Sequence, residues 1–184
     1  MSTHNGLPAN NREIKMSSHT DPSYVIFDGD NDGWAYRFMR GWKANEKVDF
    51  NFLDAHDLDT MTSKAQSEAY VKSNLKERMR QSSAVIVLIG EKTKNLYRFV
   101  RWELELAMEM GLPIIAANLN ETRQQDANCP PIIRDECVVH VPFKMRAIRF
   151  ALDHWPDEYR RMNTAERNGG SRHYNAKIYA DLGL

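Results

Sequence analysis

The chain has 184 residues, of which 42% are hydrophobic, and this is enough for one globular domain with a sizeable core. Its 25 basic and 25 acidic side chains balance, so its overall charge does not favour nucleic acid or an anionic membrane as a partner. No run approaches the roughly 20 apolar residues of a membrane span. The polar N-terminus has no apolar signal core, and Cys129 and Cys137 have neither metal-site nor disulfide spacing. We therefore expect a cytoplasmic protein.

Apolar runs alternate with amphipathic segments along the chain, after a polar arm that ends at about Ser23. Strands are predicted at 24–27, 48–53, 84–89, 112–119 and 137–141. Helices are predicted at 34–43, 67–81, 99–111 and 144–154, with a last helical segment at 174–182. Strands that alternate with helices in this way are typical of a parallel sheet.

The apolar patterns also predict where two of the strands lie. Residues 84–89 are all aliphatic, which indicates a central strand that is buried on both faces. Residues 48–53 alternate apolar and polar side chains, which favours a position at or near the sheet edge. The predicted fold is α/β: a flavodoxin-like three-layer sandwich, with a central parallel sheet of about five strands and helices on both faces.

One carboxylate falls on the apolar side of a predicted helix. The 3–4 spacing of Val100, Leu104 and Ala107 marks the buried stripe of segment 99–111, and Glu103 lies on the same stripe. An acid near a helix start, at the open end of parallel strands, is placed for chemistry. It also suits the helix dipole and a capping role, so a structural interpretation stays open.

The acidic loop after the first strand raises two metal-dependent alternatives. Asp28, Asp30, Asp32 and Gly33 match part of a calcium loop, but Met39 stands where the bidentate glutamate is required. An aspartyl phosphohydrolase would need a later hydroxyl residue, a lysine and a second acid pair, which are not evident. We expect no metal ion here, and the phosphohydrolase remains a third interpretation.

Four blocks of the sequence carry a resemblance. They are YVIFDGDNDGWAYRFMRGW, the loop after VDFNFLDAHDL, KSNLKERMRQSSAVIVLIG and RFVRWELELAMEMGLPIIA, and they cover roughly 24–119. The chain resembles the TIR-like family, and more narrowly the bacterial TIR-like proteins of the Thoeris antiphage system, the ThsB type. The last two blocks are the most specific, because spacing and residue type match over two whole units.

The resemblance implies a TIR-like flavodoxin fold and cleavage of the nicotinamide–ribose bond of NAD⁺. The product would be a cyclic or otherwise modified ADP-ribose signal in antiphage defence, with NAD⁺ as substrate and no other cofactor. Glu103 matches the catalytic glutamate of the family. The residues that we expect to bind substrate are Phe27, Asp28, Asp30, Asn31, Asp32, Asp54, His56, Phe99 and Trp102. Many TIR domains have tryptophan at the position of Phe99, four residues before the glutamate.

The resemblance also carries expectations about partners and organisation. It implies self-association, a phage-derived trigger and a separate effector that reads the product. We expect a flexible arm at 1–23, a TIR-like domain at 24–155 and a C-terminal extension at 156–184. A non-catalytic TIR-like adaptor is the alternative function, and the acid on the buried stripe favours the enzyme over it.

Overall fold

A computed structural model describes residues 16–45, 50–53, 68–95 and 99–184. The strands are β1 Ser23–Ile26, β2 Phe52–Leu53, β3 Ala84–Ile89, β4 Ile114–Asn118, β5 Val139–Pro142 and β6 Arg172–His173. The helices are α1 Gly33–Ala44, α2 Glu68–Arg80, α3 Phe99–Glu109, α4 Met145–Arg161, α5 Thr164–Arg167 and α6 Ala176–Asp181. Short 3-10 turns lie at Thr93–Asn95 and Pro131–Ile133.

The six strands of the described residues form one parallel sheet in the order β2-β1-β3-β4-β5-β6. The strand β3 lies inside the sheet, and all six of its residues are buried, as its aliphatic sequence predicts. The strand β2 lies at the edge, which confirms the prediction from its alternating pattern. The parallel α/β fold expected from the sequence is therefore confirmed.

Helices cover both faces of this sheet, so the molecule has the three layers that the sequence predicts. One apolar cluster joins the sheet to α1 and α4 through Ala35, Met39, Ile148, Leu152 and Trp155, among others. The opposite cluster joins it to α2 and α3 through Leu75, Met79, Val100, Leu104 and Ala107. Each fully buried valine, leucine, isoleucine or methionine side chain in these clusters contributes roughly 1.5–3 kcal/mol.

Two features at the C-terminal end differ from the prediction. The helix α4 was predicted to end at His154 but continues through Pro156 to Arg161. A proline inside a helix removes a hydrogen bond, but here Trp155 and Pro156 are both buried, and this packing outweighs the loss. The sheet also has a sixth strand, β6, which pairs with β5. The backbone N–H of Arg172 donates to Val138 O at 2.8 Å.

Ser17 and His19, near the start of the described chain, contact the second half of α4. Ser17 donates its N–H and its hydroxyl to the two carboxylate oxygens of Asp157, each at 2.9 Å. His19, which is 9% exposed, lies with its Nδ1 2.7 Å from Asp153 Oδ1. These contacts tie the last residues of the predicted arm to α4. The division into arm, domain and extension stays a prediction.

Among the described helices, none combines the length and the apolar character that crossing a bilayer requires.

Candidate functional site

The loop after β1 is organised around one buried carboxylate. Asp28 is 3% exposed, and its Oδ1 accepts hydrogen bonds from the backbone N–H groups of Asp30 at 3.0 Å and Asn31 at 3.2 Å. Its Oδ2 accepts from Asn31 Nδ2 at 2.5 Å. Aspartate commonly stabilises a turn in this way, by accepting from the backbone just after it. Asp28 therefore holds the loop, and its oxygens already have protein donors.

A second buried carboxylate joins this loop to the one after β3. Asp32 occupies the N-cap position of α1, but its side chain does not cap the helix. Its Oδ2 instead accepts from Thr93 Oγ1 at 3.0 Å, and Thr93 Oγ1 accepts from the N–H of Gly90 at 2.8 Å. Burial raises the pKa of Asp32, and the charge of Asp28 adds to the rise. The first and third loops are thus connected at the carboxyl end of the sheet.

Close packing makes a glycine necessary in this connection. A Cβ built on Gly90 would come within 2.7 Å of Asp32 Cγ, and still closer to both carboxylate oxygens. Heavy atoms this close would force the carboxylate of Asp32 to move. Gly90 therefore allows the approach of Asp32 to Thr93.

Glu103 lies elsewhere, on the side of α3 that faces the sheet. Its Oε1 accepts a hydrogen bond from Tyr24 Oη at 2.7 Å, and Tyr24 belongs to β1 and is fully buried. Burial raises the pKa of Glu103 to about 7, although the hydrogen bond from Tyr24 opposes that rise. Burial and the charge of Glu103 both raise the pKa of Tyr24, so this phenol remains a donor at neutral pH.

A carboxyl group with such a pKa has chemical uses. Near neutral pH both its charged and its neutral forms are populated, so it can stabilise a cation or exchange a proton. The Oε2 atom of Glu103 has no hydrogen-bond partner among the described residues. A structural role fits the same contact, because most buried polar side chains have a hydrogen-bond partner and Glu103 is the acceptor for Tyr24.

A comparison with known protein families identifies the family of this chain. The model of the family described as "Thoeris protein ThsB, TIR-like domain" matches residues 23–124, more than half of the chain. The chain belongs to this family. It is a TIR-like protein of Thoeris-type antiphage defence, as the resemblance implied. No curated protein sequence gives a significant match.

The structure of this ThsB-type chain brings only some of the predicted site residues together. Asp28, Asn31 and Asp32 form one hydrogen-bonded group with Thr93, while Glu103 pairs with Tyr24. Among the described residues, no hydrogen bond or ion pair joins these two groups. Asp30 is exposed beside the first group.

The structure describes only some of the other residues that are predicted to contact substrate. Phe27 is 6% exposed and stacks on Tyr36 with ring centroids 4.4 Å apart. Trp102 is partly buried beside Glu103 on α3. Phe99 begins α3, but its side chain lies outside the described part. Asp54 and His56 lie outside the described residues. The roles of all these residues stay predictions.

Three residues of the candidate site do not follow from the sequence analysis: Tyr24, Gly90 and Thr93. Tyr24 lies in the apolar run YVIF, and this pattern predicts only a strand residue. A signal was available, because the hydroxyl of a buried tyrosine usually has a hydrogen-bond partner. Thr93 and Gly90 lie in a polar loop without periodicity, and nothing in the sequence indicates their link with Asp32.

The part of the chain that the structure describes contains no group of three or more His, Cys, Asp or Glu side chains that could hold a metal ion.

Proposed function

We propose that this ThsB-type protein cleaves the nicotinamide–ribose bond of NAD⁺ and makes a cyclic or otherwise modified ADP-ribose signal. The observation that supports the proposal most strongly is the carboxyl of Glu103. It lies on the buried side of α3, it has one neutral donor, and burial raises its pKa to about 7. Perturbed carboxylates of this kind are concentrated at functional sites.

The chemistry of the bond explains why such a carboxylate is useful. When the bond from ribose C1′ to the pyridinium nitrogen breaks, its electron pair goes to nicotinamide, which leaves as a neutral molecule. The positive charge passes to the ribose ring, which becomes oxocarbenium-like. The ionised carboxylate of Glu103 stabilises that charge and orients the ribose hydroxyls. A nucleophile from the same molecule, or water, then bonds to C1′ and loses a proton.

The first loop supplies the proposed substrate contacts. Asp30 and Asn31 are exposed there, whereas Asp28 and Asp32 are buried and bonded to protein donors. An acid is poorly suited to the anionic pyrophosphate of NAD⁺. We therefore assign Asp30 to the ribose hydroxyls or to the cationic nicotinamide ring. Asp54, His56, Phe99 and Trp102 complete the proposed contacts on the basis of the family resemblance, with NAD⁺ as substrate and no other cofactor.

The resemblance also supports the proposed setting. Copies of the chain associate, a phage-derived trigger raises activity, and a separate effector reads the product. The reaction takes place in the cytoplasm, whose reducing conditions suit two free cysteines, Cys129 and Cys137.

A non-catalytic adaptor is the second candidate, and one observation favours it. Tyr24 is fully buried, and leaving its hydroxyl without an acceptor would cost free energy, so Glu103 would be retained as its acceptor even without catalysis. Both candidate functions fit the same fold. The enzyme would cleave NAD⁺, whereas the adaptor would leave it unchanged.

The test is product formation by the full chain. Bacteria that express the parent, Glu103→Gln or Glu109→Gln are infected with phage, and nicotinamide and ADP-ribose derivatives are measured in extracts by mass spectrometry. The same variants are purified and incubated with NAD⁺ across a protein concentration series. Glu109 is the matched control, because it lies on the same helix but is exposed.

The parent and Glu109→Gln should release nicotinamide and form an ADP-ribose derivative, and Glu103→Gln should fold normally but lose at least about 100-fold in rate. Equal product levels from the parent and Glu103→Gln, with and without infection, would exclude Glu103 as the catalytic residue. Binding of a protein partner without any NAD⁺ turnover in either setting would favour the adaptor.

A further inference from the structure

We propose that Tyr24 is a positioning residue for Glu103: its hydroxyl holds the carboxylate in one orientation and favours its charged form. This inference rests on the proposed function, since it concerns the same site. It assigns a role to a residue of β1 that touches the carboxylate rather than the substrate.

The geometry of the contact is suited to positioning. Tyr24 is fixed in the sheet by its pairing with Leu53 on β2 and Val85 on β3, and it is fully buried. Its hydroxyl reaches Oε1 of Glu103 at 2.7 Å, which is a strong hydrogen-bond distance for a hydroxyl and a carboxylate. A donor carried by a buried strand gives the carboxylate a fixed reference, which a loop donor would not.

The hydrogen bond from Tyr24 engages one carboxylate oxygen of Glu103 and leaves the other available to a substrate. Tyr24 occupies Oε1, and Oε2 has no partner among the described residues. An oxygen without a protein donor can approach the ribose, while its neighbour prevents the group from rotating. Asp28 shows the contrasting arrangement, in which both carboxylate oxygens receive protein donors.

The charged groups around Tyr24 and Glu103 have little influence on the pKa values of these two side chains. Tyr24 is the one described side chain that affects the pKa of Glu103, and it lowers the value that burial raises. On α2, Arg78 lowers the pKa of Tyr24, but burial and Glu103 outweigh it, so the phenol stays protonated. On α3 itself, Glu105 is bound by Arg101 at 2.8 Å. Tyr24 is therefore the group whose removal should move the titration of Glu103.

Packing alone gives no reason for this polar pair. An apolar residue at position 103 together with phenylalanine at position 24 would fill a similar space without the cost of partly burying a carboxylate. Both residues lie within the segment matched by the TIR-like family model, Tyr24 on β1 and Glu103, the proposed catalytic acid, on α3. A role in setting the state of that acid accounts for the cost.

The test replaces one hydroxyl at a time. Tyr24→Phe removes the donor and keeps the ring. Tyr179→Phe is the matched control, because Tyr179 is 1% exposed and its hydroxyl has no hydrogen-bond partner in the described part of the chain. Nicotinamide release by the full chain is measured from about pH 5 to about pH 9 for the parent and both variants.

Removing a hydrogen bond to a charged group should raise the pKa of Glu103 by about 1. Tyr24→Phe should then be about fivefold slower than the parent near pH 7 and recover to within about twofold near pH 9, where the carboxyl is ionised in both. Tyr179→Phe should follow the parent. Equal losses at every pH would contradict the proposal, because a purely structural role predicts that pattern.

A second readout does not depend on activity. Carbon-13 NMR of the Glu103 carboxyl, assigned by its absence in Glu103→Gln, reports the pKa directly. Replacement of Tyr24 by 3-fluorotyrosine, a stronger donor, should lower that pKa, and Tyr24→Phe should raise it. The fluorinated protein keeps the native hydroxyl, so it remains informative if Tyr24→Phe does not fold.

The two readouts separate the two proposals. If Tyr24→Phe raises the Glu103 pKa and 3-fluorotyrosine lowers it, but neither the purified parent nor infected cells turn over NAD⁺, the role of Tyr24 is supported and the proposed function is rejected. NAD⁺ turnover with an unchanged Glu103 pKa in the folded variants would support the proposed function and overturn the role of Tyr24.

Discussion

Asp28 and Glu103 both direct a carboxyl group into the protein, but they receive different numbers of hydrogen bonds. Asp28 accepts two backbone N–H groups and one side-chain amide, all from its own loop. Glu103 accepts one hydroxyl, from a residue 79 positions away in the sequence. A carboxylate surrounded by donors fixes the backbone around it. A carboxylate with one neutral donor keeps one oxygen available to a substrate. The comparison assigns a structural task to the first loop and the proposed chemical task to α3.

The largest expected effect on stability tests the structural side of this comparison. Gly90→Ala places a Cβ against the carboxylate of Asp32, and breaking the link to Thr93 should lower the free energy of unfolding by about 2–3 kcal/mol. Gly41→Ala is the control, since nothing lies within 4 Å of a Cβ there and the site is inside α1. It should gain about 0.5–1 kcal/mol. Equal stabilities of the two variants in urea would show that the link is not important.

The next effect concerns the cost of charging Glu103. Its pKa is raised from 4.5 to about 7 in the folded protein, so the folded state loses stability as pH rises between these values. Glu103→Gln removes that loss. The variant should be about 2–3 kcal/mol more stable than the parent near pH 8 and equal to it near pH 4, by denaturant unfolding. Glu109→Gln should show no such pH dependence. A parent that is more stable than Glu103→Gln near pH 8 would mean that Glu103 serves the fold.

The hydroxyl of Thr93 offers a smaller and more specific change. Thr93→Val keeps the shape but leaves the N–H of Gly90 and the carboxylate of Asp32 without this partner, which should cost about 1–2 kcal/mol. Thr93→Ser restores the hydroxyl and should recover most of that loss. If valine and serine are equally tolerated in thermal unfolding, the connection between the two loops is not what stabilises them.

The smallest stability effect is expected at Asp30. Its side chain is exposed and accepts no hydrogen bond in the described structure, so Asp30→Asn should change the free energy of unfolding by less than about 0.5 kcal/mol. Under the proposed function it should instead raise the KM for NAD⁺. An unchanged KM would remove Asp30 from the proposed substrate contacts. A large loss of stability would show that Asp30 belongs with Asp28 among the residues that hold the loop.

Much of the fold was predictable because periodicity reports burial. The aliphatic run at 84–89 coincides with β3, and Gly111, predicted to end the third helix, has a φ of +65°. The strand β6 has two residues and no apolar pattern, so only its pairing with β5 reveals it. The continuation of α4 past Pro156 depends on tertiary packing, which no local propensity encodes.

The candidate site was less predictable than the fold. Glu103 was indicated by its place on an apolar stripe and by the family resemblance. Its partner Tyr24 lies 79 residues away, and Thr93 lies 61 residues from Asp32. Contacts over such separations are set by strand order and helix packing, so the residue pattern alone does not predict them. The sequence also did not distinguish the acids that hold the first loop from Asp30, because donors to a carboxylate come from the folded backbone.

The central claim is that the ionised carboxylate of Glu103 drives NAD⁺ cleavage, and one measurement tests it most directly. Nicotinamide release and the carbon-13 NMR titration of the Glu103 carboxyl are recorded on the same parent protein from about pH 5 to about pH 9. The account predicts that the rate rises with pH along the curve of carboxyl ionisation, with a shared midpoint of about 7. A rate that stays constant while Glu103 passes from its neutral to its charged form would contradict the account.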